Sequence, residues 1–298
     1  MPNVIVASLR AIWFVVKHAV LAFVAGEPFR LAAALSYYTL LSMAPLLLVV
    51  LGVGGFVFAE TAVRKELVGQ VRTLVGPSGA QVVDSIITNA QSSQQSATSI
   101  ILGGALMLFG ATTVFAQLQG ALNQIWQVKA EPTHAIWGFI RHRLLSFALI
   151  LAVGFLLMVS LTIDAVLSGI QAYLGSLEIA SITLWQMINW LVSFVFMTAL
   201  IAMLFKYLPD ALIEWRDVWL GAVLTSSLFI VGKYFIGLYL GQASIGSIFG
   251  AAGSVVVLMV WVYYAALILF FGAEVTRAVA RYRGTRIEPS DHGAKTAD

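Results

Sequence analysis

The chain has 298 residues, 60% of them hydrophobic and 10% charged, with a net charge of +3 and no cysteine. Soluble domains carry about 45–50% apolar and about 25% charged residues, so this composition excludes a water-exposed globular protein. The missing cysteines exclude disulfides and thiolate metal sites, and the basic balance fits either a nucleic-acid binder or a membrane protein with Lys and Arg in its cytoplasmic loops.

Residues 3–25 come first. Arg10 and Lys17 interrupt their apolar run, which speaks against a secretory signal, so the segment is expected to be retained. The two cations share a helix face, with Ile12, Trp13, Val16, Val20 and Phe23 on others. An amphipathic helix on the cytoplasmic leaflet is the reading; a seventh, partial span is the alternative.

A spanning helix needs about 20 mostly apolar residues. Six stretches meet this: 31–59, 99–125, 144–163, 181–205, 218–240 and 251–273. None alternates as a barrel strand would, so the expected fold is an all-α, polytopic bundle. Between the first two spans, Val63, Leu67, Val71 and Leu74 recur at helical spacing. Gly76-Pro77-Ser78-Gly79 breaks the chain, and Val82, Val83, Ile86 and Ile87 suggest a second short helix. A helical hairpin over the outer face is expected, followed by a polar, flexible lead at 89–99.

Orientation follows from Lys and Arg. With the N-terminus inside, thirteen of seventeen fall in cytoplasmic segments: Arg10, Lys17, Arg30, Lys129, Arg141, Arg143, Lys206, Arg216, Arg277, Arg281, Arg283, Arg286 and Lys295. Arg64, Lys65 and Arg72 lie in the outer hairpin, and Lys233 lies within the fifth span. This asymmetry predicts both termini in the cytoplasm. It also accounts for the basic balance without nucleic acid.

Signals for catalysis are weak. His18, His134, His142 and His292 have no metal-site spacing, and no phosphate-binding glycine loop or nucleophile elbow is present. Arg141, His142 and Arg143 form a short basic patch suited to anionic lipid headgroups. No cofactor, metal or nucleic-acid site is expected, and the oligomeric state is not set by the sequence.

Ionisable groups at membrane depth point to function by default, because burying them is costly. Lys233 lies sixteen residues beyond Asp217, or ~24 Å along a helix. Either its stem snorkels to the outer interface, or it lines a cavity that receives an anion. Glu274 closes the sixth span and has Lys206, Arg216 and Arg277 as candidate ion partners. The first span carries Ser36, Tyr37, Tyr38, Thr39 and Ser42, then Pro45, which removes the hydrogen bond to residue 41. The hydroxyls either re-satisfy the freed carbonyl or, with Lys233 and Tyr264, line a substrate path. Gly237-x-x-x-Gly241 and Gly246-x-x-x-Gly250 suggest close packing of spans five and six.

Three blocks carry a family resemblance. The segment from Leu31 to Pro45, the run Lys206-Tyr-Leu-Pro-Asp210 with Trp215 and Gly221-Ala222, and Phe249-Gly-Ala-Ala-Gly-Ser254 with Trp261-Val-Tyr-Tyr264 and Gly272-Ala-Glu274 resemble the YihY / virulence factor BrkB family, over roughly residues 8–284. The tail 284–298 falls outside the resemblance and reads as disordered. The resemblance implies a bacterial inner-membrane protein with six helices. The family's former ribonuclease BN label implies a nuclease, but phosphodiester cleavage needs clustered carboxylates or histidines around cations, and the cytoplasmic segments offer none. The leading reading is a transporter or flippase-like protein for a lipid or amphipathic anion. The second is a non-transporting component that supports envelope biogenesis or virulence through partner proteins. An enzyme ranks last. Membrane lipids are the expected partners in either of the first two.

Overall fold

The computed structural model describes residues 2–55, 60–92, 110, 113–130, 182–242, 253–285, 287–289 and 293–295. They are mostly helical. Helix α1 runs Pro2–Ala25 and α2 Pro28–Gly55. Both open on proline, which costs nothing in a first turn whose N–H groups lack helical acceptors. The turn between them stops α1, where Gly26 N donates to Ala22 O and Phe23 O. Glu27 then takes a φ of 55° and its carbonyl accepts the first amides of α2, from Arg30 and Leu31.

Helices α3 (Glu60–Val75) and α4 (Pro77–Ser92) form the hairpin read from the sequence. Gly76 makes the turn at φ 91°, a left-handed value that suits glycine. A methyl built on Gly79 would stand 2.6 Å from Val75 Cγ1, so the arms meet too closely for any side chain there. Arg64 spans the two helices, with Nε and Nη2 donating to Asp84 Oδ1 and Nη2 also to Thr88 Oγ1.

Residues 113–125 form α5, which leads into strand β1 (Val128–Ala130). Helix α6 spans Ile182–Tyr207, β2 is Ala211–Leu212, α7 is Trp215–Gln242 and α8 is Gly253–Arg283. Three helices among the described residues are long and apolar enough to cross a membrane, at Pro28–Leu48, Trp190–Tyr207 and Gly253–Arg283. They correspond to the first, fourth and sixth predicted spans. The fifth lies inside the 28-residue α7. The third predicted span, the Arg141-His142-Arg143 patch and the first part of the second span lie outside the described residues.

Two apolar cores divide the molecule. One gathers Leu31 and Leu35 of α2, Leu122 and Trp126, Phe205 of α6, Val218 of α7 and Phe270 of α8. The other packs Met43, Leu47 and Leu51 of α2 and Val257 and Leu258 of α8 under Val63, Val83 and Ile87 of the hairpin. Helices α2 and α8 are therefore antiparallel and run through both. The first core marks the basic end of the molecule, and the second the hairpin end.

At the basic end α8 outruns its predicted span. Its 31 residues are ~46 Å long, against a hydrocarbon core of about 30 Å. The last turns serve as a dock for α1, with Ala19 buried against Val275 and Ala278 and the Phe14 ring 5.5 Å from that of Tyr282. The outward face of α1 leaves Trp13, Val16, Val20 and Val24 exposed.

The segment after Gly284, expected to be disordered, carries two short strands among its described residues. It turns at Gly284 (φ 75°) and forms β3 (Glu288–Pro289) and β4 (Gly293–Lys295). Strand β3 pairs antiparallel with β2, Leu212 opposite Glu288, and β4 with β1, Val128 opposite Lys295. Two- and three-residue strands are held by backbone hydrogen bonds. Those bonds do not depend on the side chains being apolar.

Candidate functional site

Three carboxylates are buried at the basic end. Asp210, in the α6–α7 connection, accepts from Asn123 Nδ2 at 2.8 Å and Gln119 Nε2 at 3.2 Å, while its own N–H donates to Asn123 Oδ1 at 2.9 Å. Gln119 and Asn123 are four residues apart and so share one face of α5. The Asn123 amide engages both the carboxylate and the backbone of Asp210, which fixes α5 to the connection.

Asp217 sits in the first turn of α7 and accepts from Arg283 Nη1, in the last turn of α8, at 2.7 Å; the same nitrogen reaches Arg216 O at 3.2 Å. An acid at a helix start and a base at a helix end each oppose the local partial charge of the helix, so the pair suits the antiparallel crossing. Glu274 is 3% exposed. Its Oε2 lies 3.7 Å from Arg277 Nη1 and has no hydrogen-bond partner. A methyl on Gly26 would stand 3.7 Å from Oε1, which places the carboxylate beside the α1–α2 turn. Of the three candidate cations, the ion pair is with Arg277. Lys206 instead donates to Ile213 O, and the side chain of Arg216 is exposed.

Helices α7 and α8 cross through a reciprocal contact that the sequence reading missed. A methyl on Gly221 would fall 1.8 Å from Thr276 Oγ1, and one on Gly272 would fall 1.7 Å from Thr225 Oγ1. Each threonine hydroxyl donates to the carbonyl of the glycine four residues before it, at 2.6 Å for Thr225 and 2.9 Å for Thr276. Gly-Ala-x-x-Thr at 221–225 and 272–276 is the legible signal, a small-x-x-x-small pattern in both helices. Gly246 and Gly250 lie outside the described residues.

Twelve residues further along α7, Lys233 is half-buried, ~18 Å from Gly221 at helical rise. It makes no ion pair among the described residues. The hydroxyl of Tyr264 rests on the preceding residue, where a methyl on Gly232 would meet it at 2.1 Å. Lys233 and Tyr264 therefore share one level.

In α2, Ser36 is buried and its hydroxyl bonds to Ala33 O, while Thr39 bonds to Leu35 O. Neither reaches the carbonyl of Leu41 that Pro45 leaves free. Pro45 packs against Gly110, and Tyr37 and Tyr38 meet edge-on, with Tyr37 53% exposed. No described contact joins Ser36 or Tyr37 to Lys233.

These groups are polar positions set within helix packing. Among the described residues no three His, Asp or Glu side chains gather as a metal site would require. A family model described as virulence factor BrkB matches residues 19–297 and so extends into the tail. The chain is 27% identical over 255 residues to a UPF0761 membrane protein of Alcanivorax borkumensis, covering 85% of this chain and 57% of that one. It is 27% identical over 280 residues to one of Rhodospirillum centenum (92% and 59%) and 25% over 275 residues to one of Neisseria meningitidis (91% and 63%). The chain thus spans about three fifths of the length of these relatives. No solved structure matches. With its apolar spans and a family match across most of its length, the chain belongs to the virulence factor BrkB family of membrane proteins.

Proposed function

We propose that this protein is a six-span transporter or flippase-like protein of the bacterial inner membrane, with both termini cytoplasmic, that moves a lipid or another amphipathic anion. The excess of Lys and Arg at the basic end supports that orientation. The observation that carries the transport reading is Lys233, an ammonium at membrane depth without an ion partner among the described residues. A charge at membrane depth left uncompensated is costly, and a passing anion compensates it transiently. The proline and hydroxyls of α2, a helix that packs along α8 through both cores, add a second polar position.

The test is reconstitution in liposomes with fluorescent anionic and zwitterionic lipids, comparing wild type with Lys233→Ala. Protein-dependent movement of anionic lipid, reduced about tenfold by the substitution, is expected. An absence of movement above empty liposomes for every lipid tested would turn the assignment to a non-transporting envelope component.

A further inference from the structure

The corner between α6 and α7 carries a cluster that none of the roles above uses. The Lys206 ammonium donates to Ile213 O, which holds it 5.9 Å from the centroid of the Trp215 ring. Tyr207 meets Trp215 edge-on at 5.9 Å, and Trp219 follows at 6.5 Å. The three rings are 58%, 40% and 44% exposed, large values for aromatic side chains that touch one another. Arg216, next to Trp215, is exposed as well. From this corner an exposed apolar stripe descends α7 through Leu220, Val223 and Leu224 to Val231.

We infer that this corner is a binding site for the headgroup of one anionic phospholipid. The grouping matches the molecule: cations and aromatic rings stand together at the helix ends, where a phosphate and its glycerol and ester groups would lie, and the apolar stripe runs on from them for the acyl chains. Ile213 uses one of the three N–H donors of Lys206 and pins the ammonium, so little side-chain freedom is lost when a phosphate arrives. Glu214 is also exposed at this corner. Two cations and one carboxylate favour a singly charged headgroup over a polyanion. A soluble anion has no use for the stripe below. The site requires only that the basic end meets lipid, and a resident lipid binds whether or not the protein transports.

The test is native mass spectrometry of the full chain released from nanodiscs of phosphatidylcholine with a minor share of phosphatidylglycerol. Wild type is expected to retain phosphatidylglycerol preferentially. Lys206→Gln with Arg216→Gln lowers that preference by roughly twenty-five-fold, at about fivefold per surface cation. Lys206→Arg with Arg216→Lys keeps it, as does Trp190→Ala at the far end of α6. Arg216→Gln alone, at an exposed position, serves if the double variant does not fold. Equal retention of the two lipids by wild type, or a preference that survives removal of both cations, overturns the assignment. So does displacement of the lipid by inorganic phosphate, which would make this a site for a soluble anion.

Discussion

At the hairpin end, α3 and α4 are neighbours in the chain. They close on α2 and α8 through aliphatic side chains, with Arg64 forked to Asp84 and Thr88 between them. At the basic end, α5, α6, α7, α8 and the tail arrive from distant parts of the sequence. They are joined by an amide on a carboxylate, an arginine on a carboxylate, two glycine–threonine contacts and two strand pairs. Apolar packing tolerates rearrangement, whereas each polar joint needs its own partner in place. The basic end is thus the rigid reference of the bundle. The weakly partnered groups, Lys233 and the proline of α2, lie between it and the hairpin.

The largest expected effect tests that rigidity at the α7–α8 crossing. Gly272→Ala places a methyl 1.7 Å from Thr225 Oγ1 and 2.9 Å from its Cβ, and overpacking of this kind costs about 1–3 kcal/mol or more. Thermal melts in detergent should show the loss, and Thr225→Gly on the same background should recover part of it. Gly120→Ala makes a fitting control, because a methyl there meets nothing within 4 Å. If Gly272→Ala melts like wild type, the two helices can part at low cost and the basic end is not the fixed element.

A smaller effect follows from the joint between α5 and the α6–α7 connection. Asn123→Ala removes both of its bonds to Asp210, leaving the buried N–H without that acceptor and the carboxylate with the longer bond from Gln119, at a cost of about 1–3 kcal/mol. Asp210→Ala on top of Asn123→Ala should add much less than it does alone, because the two changes remove the same contact. Strict additivity would mean that the residues stabilise the fold separately.

These joints also show where the sequence was legible. The hairpin could be read directly, since its helices follow from aliphatic spacing and its turn from Gly76-Pro77, all within 33 residues. The length and apolar character of α2, α6 and α8 were equally plain. Asn123 and Asp210 are 87 residues apart, and nothing local marks either as the partner of the other. The reading of Glu274 found the buried carboxylate but left three cations open. Arg277, one helical turn away on the same helix, is the one it faces. Lys206 and Arg216 were drawn into that pair by charge alone. Neither is turned to Glu274, and both stand at the aromatic corner, which depends on how two helix ends fold against each other.

The smallest effect concerns the tail, which was read as disordered because its composition is polar. Removing the residues after Gly284 deletes β3 and β4, leaving β1 and β2 as unpaired edges. The few backbone hydrogen bonds lost contribute about 1 kcal/mol each, and release of the tail's conformational entropy offsets much of that. Global stability should therefore fall by no more than about 1 kcal/mol. Local protection is a sharper readout: amide exchange at Val128–Ala130 and at Ala211–Leu212 should speed up, while the apolar cores stay protected. Unchanged exchange at both strands would show that the tail does not clamp the loops. Faster exchange spreading into α7 and α8 would show that the tail belongs to the same cooperative unit as the helix crossing, so that the basic end opens and closes as one piece.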